Sequence, residues 1–386
     1  MKDCDIAVVG GGLLGSAFAY GLTGSQPGGQ CNGDRRVLLL DEGDDAIRTA
    51  RGNFGLVWVQ GKGRGMPAYA RWSLQSSREW VAFAADLREE TGVDTGHHRC
   101  GGFNLALDEA ELAANVALLE TLRSEAGEAG YEFEVMPRQR LLQFLPQIGP
   151  RVPGATYCPH DGHVNPLQLL RALQAGFQRR GGEYAPRRAV RRIAALPGGG
   201  FELFGAAGAA PLARAEKVVI AAGHGSPALG APLGLRAPVV PVQGQVLVTE
   251  RSATPLRYPT NYVRRTDEGT FMLGPSARDV GFDLDTETAT LRDIARQCSR
   301  AFPFLRSLRV QRSWAALRIM TPDGFPVYEQ SASHPGAFSF ACHSGVTLAA
   351  VHARRVARWV LDGRIPTNYH CFGAERFDVQ ATHAAH

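Results

Sequence analysis

The sequence predicts an α/β protein with a discontinuous, Rossmann-like nucleotide-binding domain and a second domain set between its pieces. Three observations carry this. Residues 5–22, DIAVVGGGLLGSAFAYGL, read as strand, glycine turn and helix. Two later apolar strands, beginning at Lys217 and at Phe338, each end in small residues. The 386-residue length exceeds the usual reach of one hydrophobic core, so two domains are expected.

In the first segment Ile6–Val9 form the strand, and Gly10, Gly12 and Gly15 give the spacing G-x-G-x-x-G. Such a turn needs one glycine for the sharp bend, one to admit a pyrophosphate and one for close helix–strand packing. Leu13 and Leu14 lie in the same turn, and Ser16–Leu22 continue with helical periodicity. The helix start then presents N–H groups to phosphate. The next strand, in RRVLLLDEG, delivers Asp41 and then Glu42 as acceptors for ribose hydroxyls, with Asp41 in the better register. Between them Gly24–Asp34 has turn composition and reads as a surface insertion.

The glycine fingerprint by itself does not separate FAD from NAD. The strand from Lys217 runs into Ala221, Ala222 and Gly223, leaving space for a cofactor. The segment from Phe338 reads as strand, small-residue turn and long helix, with Val346, Ala350, Ala353, Val356 and Val360 on one packing face. His343, Ser344 and Gly345 open that helix, where amide donors meet an electron-rich ring. A nucleotide site gathered from three parts of the chain suggests a large, permanently held flavin.

Composition excludes other classes. The formal charge of +5, from 42 basic and 37 acidic residues, is a small excess without long basic runs, so no nucleic-acid partner is expected. The seven cysteines are scattered, without zinc or iron–sulfur spacing, so no metal site is expected. No apolar run approaches the roughly 18 residues of a membrane span. The opening MKDCDIAVVGGG is not signal-like, and a reducing cytoplasm is the expected location.

From Ile6 to about Gly363 the chain resembles the D-amino-acid oxidase / glycine oxidase superfamily of FAD-dependent oxidoreductases. Within it, the likeness is greatest to the flavoprotein (beta) subunit of D-hydroxyproline dehydrogenase, opine oxidase and hydrogen cyanide synthase. The segments that carry it are PVVPVQGQVLVTER (238–251), DEGTFMLGPSARDVGFD (267–283), RSWAALRIMTPDGFPV (312–327) and CHSGVTLAAVHA (342–353). The resemblance implies an FAD domain of residues 1–75, 150–225 and 325–386. It also implies an α+β substrate domain on a mixed sheet, residues 76–149 and 226–324.

The resemblance also implies a chemistry: oxidation of a C–N bond in a small D-amino acid, imino acid or opine, by hydride loss to the N5 atom of a non-covalent FAD. Cofactor neighbours are expected from Thr49, Arg51, Gly52, Asn53 and Gly55, from Val190, and from Ser344, Gly345, Val346 and Thr347. Gln60 and Lys62 face either the flavin or a redox partner, with a solvated loop lysine as the alternative for Lys62. Arg318 sits where the family holds its carboxylate-binding arginine. A guanidinium clamps a planar carboxylate with two charge-assisted bonds. The alternative is an ion pair with Asp279, Asp283 or Asp323. Tyr262 and His343 are the further expected catalytic neighbours, and Trp314 is expected to pack beneath the segment.

Oxygen-using relatives tend to place a lysine in the stretch matching PSARDVGFD, which here has none. The resemblance therefore favours a dehydrogenase with a second flavoprotein-like subunit and a small iron–sulfur protein, held at the inner face of the membrane through those partners. The alternatives are a free-standing oxidase using oxygen, a nicotinamide-linked dehydrogenase, and a non-catalytic FAD-binding assembly protein.

Overall fold

The computed structural model describes residues 2–24, 35–43, 49–127, 131–206, 208 and 210–378. The expected surface insertion Gly24–Asp34 therefore lies, beyond Gly24, outside the described residues.

Strand β1 (Lys2–Val9) is the centre of an eight-stranded sheet. It runs parallel to β2 (Val37–Leu40) on one side and to the strand Ala213–Ile220 on the other. Val9 is level with both Leu40 and Ile220, so three strand ends open at one edge. Ala337–Ala341 extends the sheet in parallel, and Val327–Gln330 closes that side antiparallel. Helix α1 (Leu13–Leu22), helix α2 (Pro67–Thr91) and the helix Pro166–Arg179 contribute to one hydrophobic cluster on this sheet. Close approach rests on small residues: a Cβ on Gly21 of α1 would stand 2.1 Å from the carbonyl oxygen of Ala353.

The second layer is a four-stranded antiparallel sheet built on Val240–Thr249 and Val310–Met320. Phe271–Leu273 and Val263–Arg265 complete it. A three-stranded sheet of Gly102–Leu105, Gly154–Cys158 and Glu134–Pro137 shares its hydrophobic cluster, with the helix Thr288–Ala301. This is the mixed α/β architecture the sequence predicts.

Three of the expected domain boundaries fall across elements that pair or pack together. A cut at 75 falls inside α2, whose Trp72, Trp80, Phe83 and Leu87 join the core of α1. A cut at 150 separates Gly154–Cys158 from the strands it pairs with. Leu229, Leu233 and Leu235 pack with Val218 and Ile220 on the nucleotide side, although 226 was the expected start of the other domain. We propose the same two-part division with these three boundaries moved accordingly. Among the described residues, no helix is long and apolar enough to cross a membrane.

Candidate active site and cofactor cradle

The open edge of the eight-stranded sheet forms a cavity of about 500 Å³. Gly10 turns there at φ +107°, and a Cβ on it would lie 2.4 Å from the carbonyl oxygen of Ala221. A Cβ on Gly15 would lie 1.8 Å from the carbonyl oxygen of Gly10, so this glycine sets the helix–strand contact. Gly12 differs: a Cβ there meets nothing within 4 Å, and it caps α1 without a side-chain hydrogen bond. Open space and unsatisfied helix-end amides are what an anionic group requires.

Asp41, at the end of β2, accepts from the amides of Gly11 (2.9 Å) and Gly43 (3.3 Å) while lining the cavity. It therefore tethers the glycine turn as well as facing the ligand space. Gly10, Gly12, Leu13, Leu14, Asp41, Glu42, Thr49, Asn53, Val190, Ala222, Gly223, His343 and Gly345, each expected as a cofactor neighbour, line this cavity together. A glycine cradle, a buried carboxylate and open space at Gly12 and Gly345 fit a dinucleotide such as FAD.

A second cavity, of about 590 Å³, continues from the first and shares Thr49, Asn53, Leu317 and His343 with it. Gly52, Ser344, Val346 and Thr347 line this one only. The strands Val240–Thr249 and Val310–Met320 form its wall, and Thr49 ties them to the cradle through a hydroxyl bond to the Leu317 carbonyl (2.5 Å). Trp314 packs beneath, donating to the Gly52 carbonyl at 3.3 Å.

Arg318 faces the second cavity, and among the described residues its guanidinium has neither a hydrogen bond nor an ion pair. Asp323, one of its expected alternative partners, is taken by Arg376 at 2.7 and 3.0 Å. Asp279 is exposed, and the Asp283 carboxylate accepts from the Asp285 amide. Burial lowers the guanidinium pKa, yet an arginine stays charged. A half-buried cation without a counter-ion at a cavity wall favours an anionic ligand there.

His343 sits at the junction of the two cavities. Burial, with Lys62 and Arg318 nearby, pushes its pKa down to about 3. It is a neutral imidazole at physiological pH, able to hydrogen-bond but a poor carrier of protons. Lys62 is not a solvated loop lysine: it lines the second cavity and donates to the hydroxyls of Ser344 and, at 3.4 Å, of Tyr69. Those two hydroxyls also bond each other at 2.6 Å.

Several expected positions lie elsewhere. Tyr262 lines neither cavity: its hydroxyl donates to Glu111 at 2.9 Å and its ring packs in the substrate-side core. It stands in the bend just before the strand Val263–Arg265, not in the strand that the sequence places over Asn261–Arg264. Arg51 is exposed and lines neither cavity. Gly55 lies outside both as well, at φ +84° with its carbonyl accepting from Val164. Gln60 does line the second cavity, but its amide is engaged within the fold, donating to Asp161 (2.7 Å) and accepting from Thr156 (2.7 Å). Unforeseen lining residues are Tyr69 and His224, whose ring meets Phe282 edge-on at 5.4 Å. His224 directly follows Gly223 in AAGHG, a position that spacing alone does not mark.

Comparison with known proteins agrees with this geometry. The family model described as DAO, FAD dependent oxidoreductase, matches residues 5–359. The chain is 39% identical to an opine oxidase subunit of Agrobacterium tumefaciens (strain Ach5), over 98% of this chain and 99% of that one. It is also 39% identical to the corresponding opine oxidase subunit of Rhizobium meliloti, over 98% and 99%. Among solved structures, glycine oxidase from Geobacillus kaustophilus superposes with a TM-score of 0.85 at 24% identity, covering 97% of this chain and 98% of that one.

Proposed function

The chain belongs to the DAO family of FAD-dependent oxidoreductases, enzymes that act on the C–N bonds of amino acids and opines, and on that premise we propose that it dehydrogenates an opine. The observation that carries the reading is Arg318, a half-buried guanidinium with no side-chain partner among the described residues, facing a cavity that adjoins the nucleotide cradle. The two opine oxidase relatives support the choice of substrate over D-proline or a D-hydroxyproline.

FAD, held by Gly10, Gly12, Asp41 and the start of the helix after His343, supplies the two-electron acceptor. The protein does the rest by orientation. Arg318 fixes the substrate carboxylate, and with it the C–H bond next to nitrogen, in one geometry. Neutral His343 adds a hydrogen bond at the junction without a competing charge. The nitrogen lone pair forms the C=N bond as the C–H bond is lost, and the imine then hydrolyses in water.

Relatives named as subunits support a heteromeric assembly in which electrons leave to a partner, and the absence of lysine from 275–283 supports a dehydrogenase. A second reading, an oxygen-using oxidase, is favoured by Lys62, which brings a lysine into the second cavity from a different part of the chain. The test is an anaerobic panel of octopine, nopaline, D-proline, cis-4-hydroxy-D-proline and glycine, read by loss of flavin absorbance. Bleaching by the opines at rates above the others is expected, whereas bleaching by glycine or D-proline alone would sink the opine reading.

A further inference from the structure

Arg318 accounts for one carboxylate, yet Lys62 and the exposed Arg64 also line the second cavity. Lys62 stands in the same wall system, and among the described residues it has no carboxylate partner. Asp161, a buried acid whose pKa the lysine helps to lower, is occupied with the Val59 amide and Gln60. Among the described residues the one carboxylate lining the cavity, Asp323, is closed off by Arg376. Arg318, Lys62 and Arg64 therefore give the pocket a cationic lining, and Lys62 is less exposed than Arg64.

The lysine is also held in place. Of the three N–H donors of an ammonium, two are engaged, one by Ser344 and one by Tyr69. Tyr69 and Ser344 are themselves joined, and the tyrosine ring lies against Phe325 at 5.6 Å. One donor is left for a ligand, on a side chain whose rotamer freedom has already been lost. Arg318 and Lys62 both lower the proton affinity of His343, so both fields converge on the imidazole at the cavity junction.

Resting on the opine reading of this site, we propose that Lys62 anchors a second carboxylate, making the enzyme selective for secondary amines that carry a carboxylate on both carbon arms. Arg318 then holds the carboxylate of the amino-acid arm, and Lys62 the carboxylate of the N-carboxyalkyl arm. The two anchors fix the amine between them, so either arm's loss frees the nitrogen to wander.

The experiment compares N-(1-carboxyethyl)glycine with N-ethylglycine, which lacks only the second carboxylate, in the FAD-loaded full chain. Wild type should prefer the dicarboxylate by more than about tenfold in kcat/KM. Lys62→Met should reduce kcat/KM for the dicarboxylate roughly ten- to a hundredfold, chiefly through KM, and move N-ethylglycine less than about threefold. Lys62→Arg should restore most of the preference. A binding readout runs alongside: the non-oxidisable diacid glutarate should perturb the flavin spectrum of wild type at lower concentration than butyrate, and Lys62→Met should erase the difference. Equal loss on both amines, or a wild type indifferent to the second carboxylate, overturns the assignment and leaves the opine reading to its own panel. Failure of every amine to bleach the wild-type flavin takes down the opine reading and this inference together.

Discussion

The guanidinium of Arg318 lies directly over Gly244: a Cβ added to Gly244 would stand 2.7 Å from its Nη2. The two residues occupy neighbouring strands, with Val242 opposite Arg318 and Gly244 opposite Ala316. The glycine leaves the space in which the arginine reaches the cavity. Gly244→Ala should therefore push the guanidinium aside without unfolding the sheet, because the clashing atoms are the free end of a side chain. A displacement near 1 Å should cost on the order of ten- to a hundredfold in kcat/KM for carboxylate substrates. FAD content and melting temperature should stay close to wild type.

Direct substitution tests the same anchor. Arg318→Lys keeps the charge and loses the fork, so the expected cost is of order 1.5–3 kcal/mol, roughly ten- to a hundredfold in kcat/KM. Arg318→Ala should cost more. The deciding measurement sets an amino acid beside its carboxyl-less amine. Equal slowing of both would show that Arg318 serves the fold and not the carboxylate.

The glycines of the cradle should separate by environment. Gly12→Val adds atoms only to open space, so the chain should fold yet purify with little flavin. Gly15→Val drives into the Gly10 carbonyl and should yield insoluble protein. Wild-type protein should release its FAD into the supernatant on acid precipitation. Flavin that stays with the pellet would show a covalent link.

Tyr262 should behave as a structural residue. Tyr262→Phe removes its hydrogen bond to Glu111 and should lower stability by about 1–3 kcal/mol, while kcat/KM changes less than about threefold. Chemical denaturation and steady-state kinetics on one preparation decide this. A hundredfold loss of activity with unchanged stability would return the tyrosine to the active site.

Asp161 gives the stability a pH signature. Complete burial pushes its carboxyl up to about 7, from an ordinary value near 3.8 that the unfolded chain keeps. Between those values the native state holds a proton that the unfolded state has released, so the contribution to stability falls as pH rises from about 4 to about 7 and is flat beyond. Asp161→Asn should flatten that part of the curve. Melting temperatures from pH 4.5 to 7.5 read the slope directly, and identical slopes in the two proteins would refute the shift.

The electron acceptor has a clean assay. The substrate-reduced enzyme should react slowly with oxygen and fast with an artificial dye. Rapid hydrogen peroxide production by the isolated chain, matching the dye rate, would favour the oxidase reading.

By itself the sequence determined the nucleotide half of the molecule. Gly10, Gly12, Gly15 and Asp41 are legible because a turn, a helix start and a strand end are local, and their spacing is set by a few bonds. Arg318 was legible as a candidate for a related reason, an arginine in the apolar second half of its strand, WAALRIM. The choice between clamp and brace draws on the tertiary structure, where Asp323 turns to Arg376, 53 residues away, and the cavity guanidinium has no side-chain partner among the described residues. Tertiary structure likewise sent Tyr262 to Glu111 and brought Lys62 to Ser344, across 151 and 282 residues of chain. Side-chain direction follows strand register and ion pairing follows long-range proximity, and neither is written in the spacing of neighbouring residues.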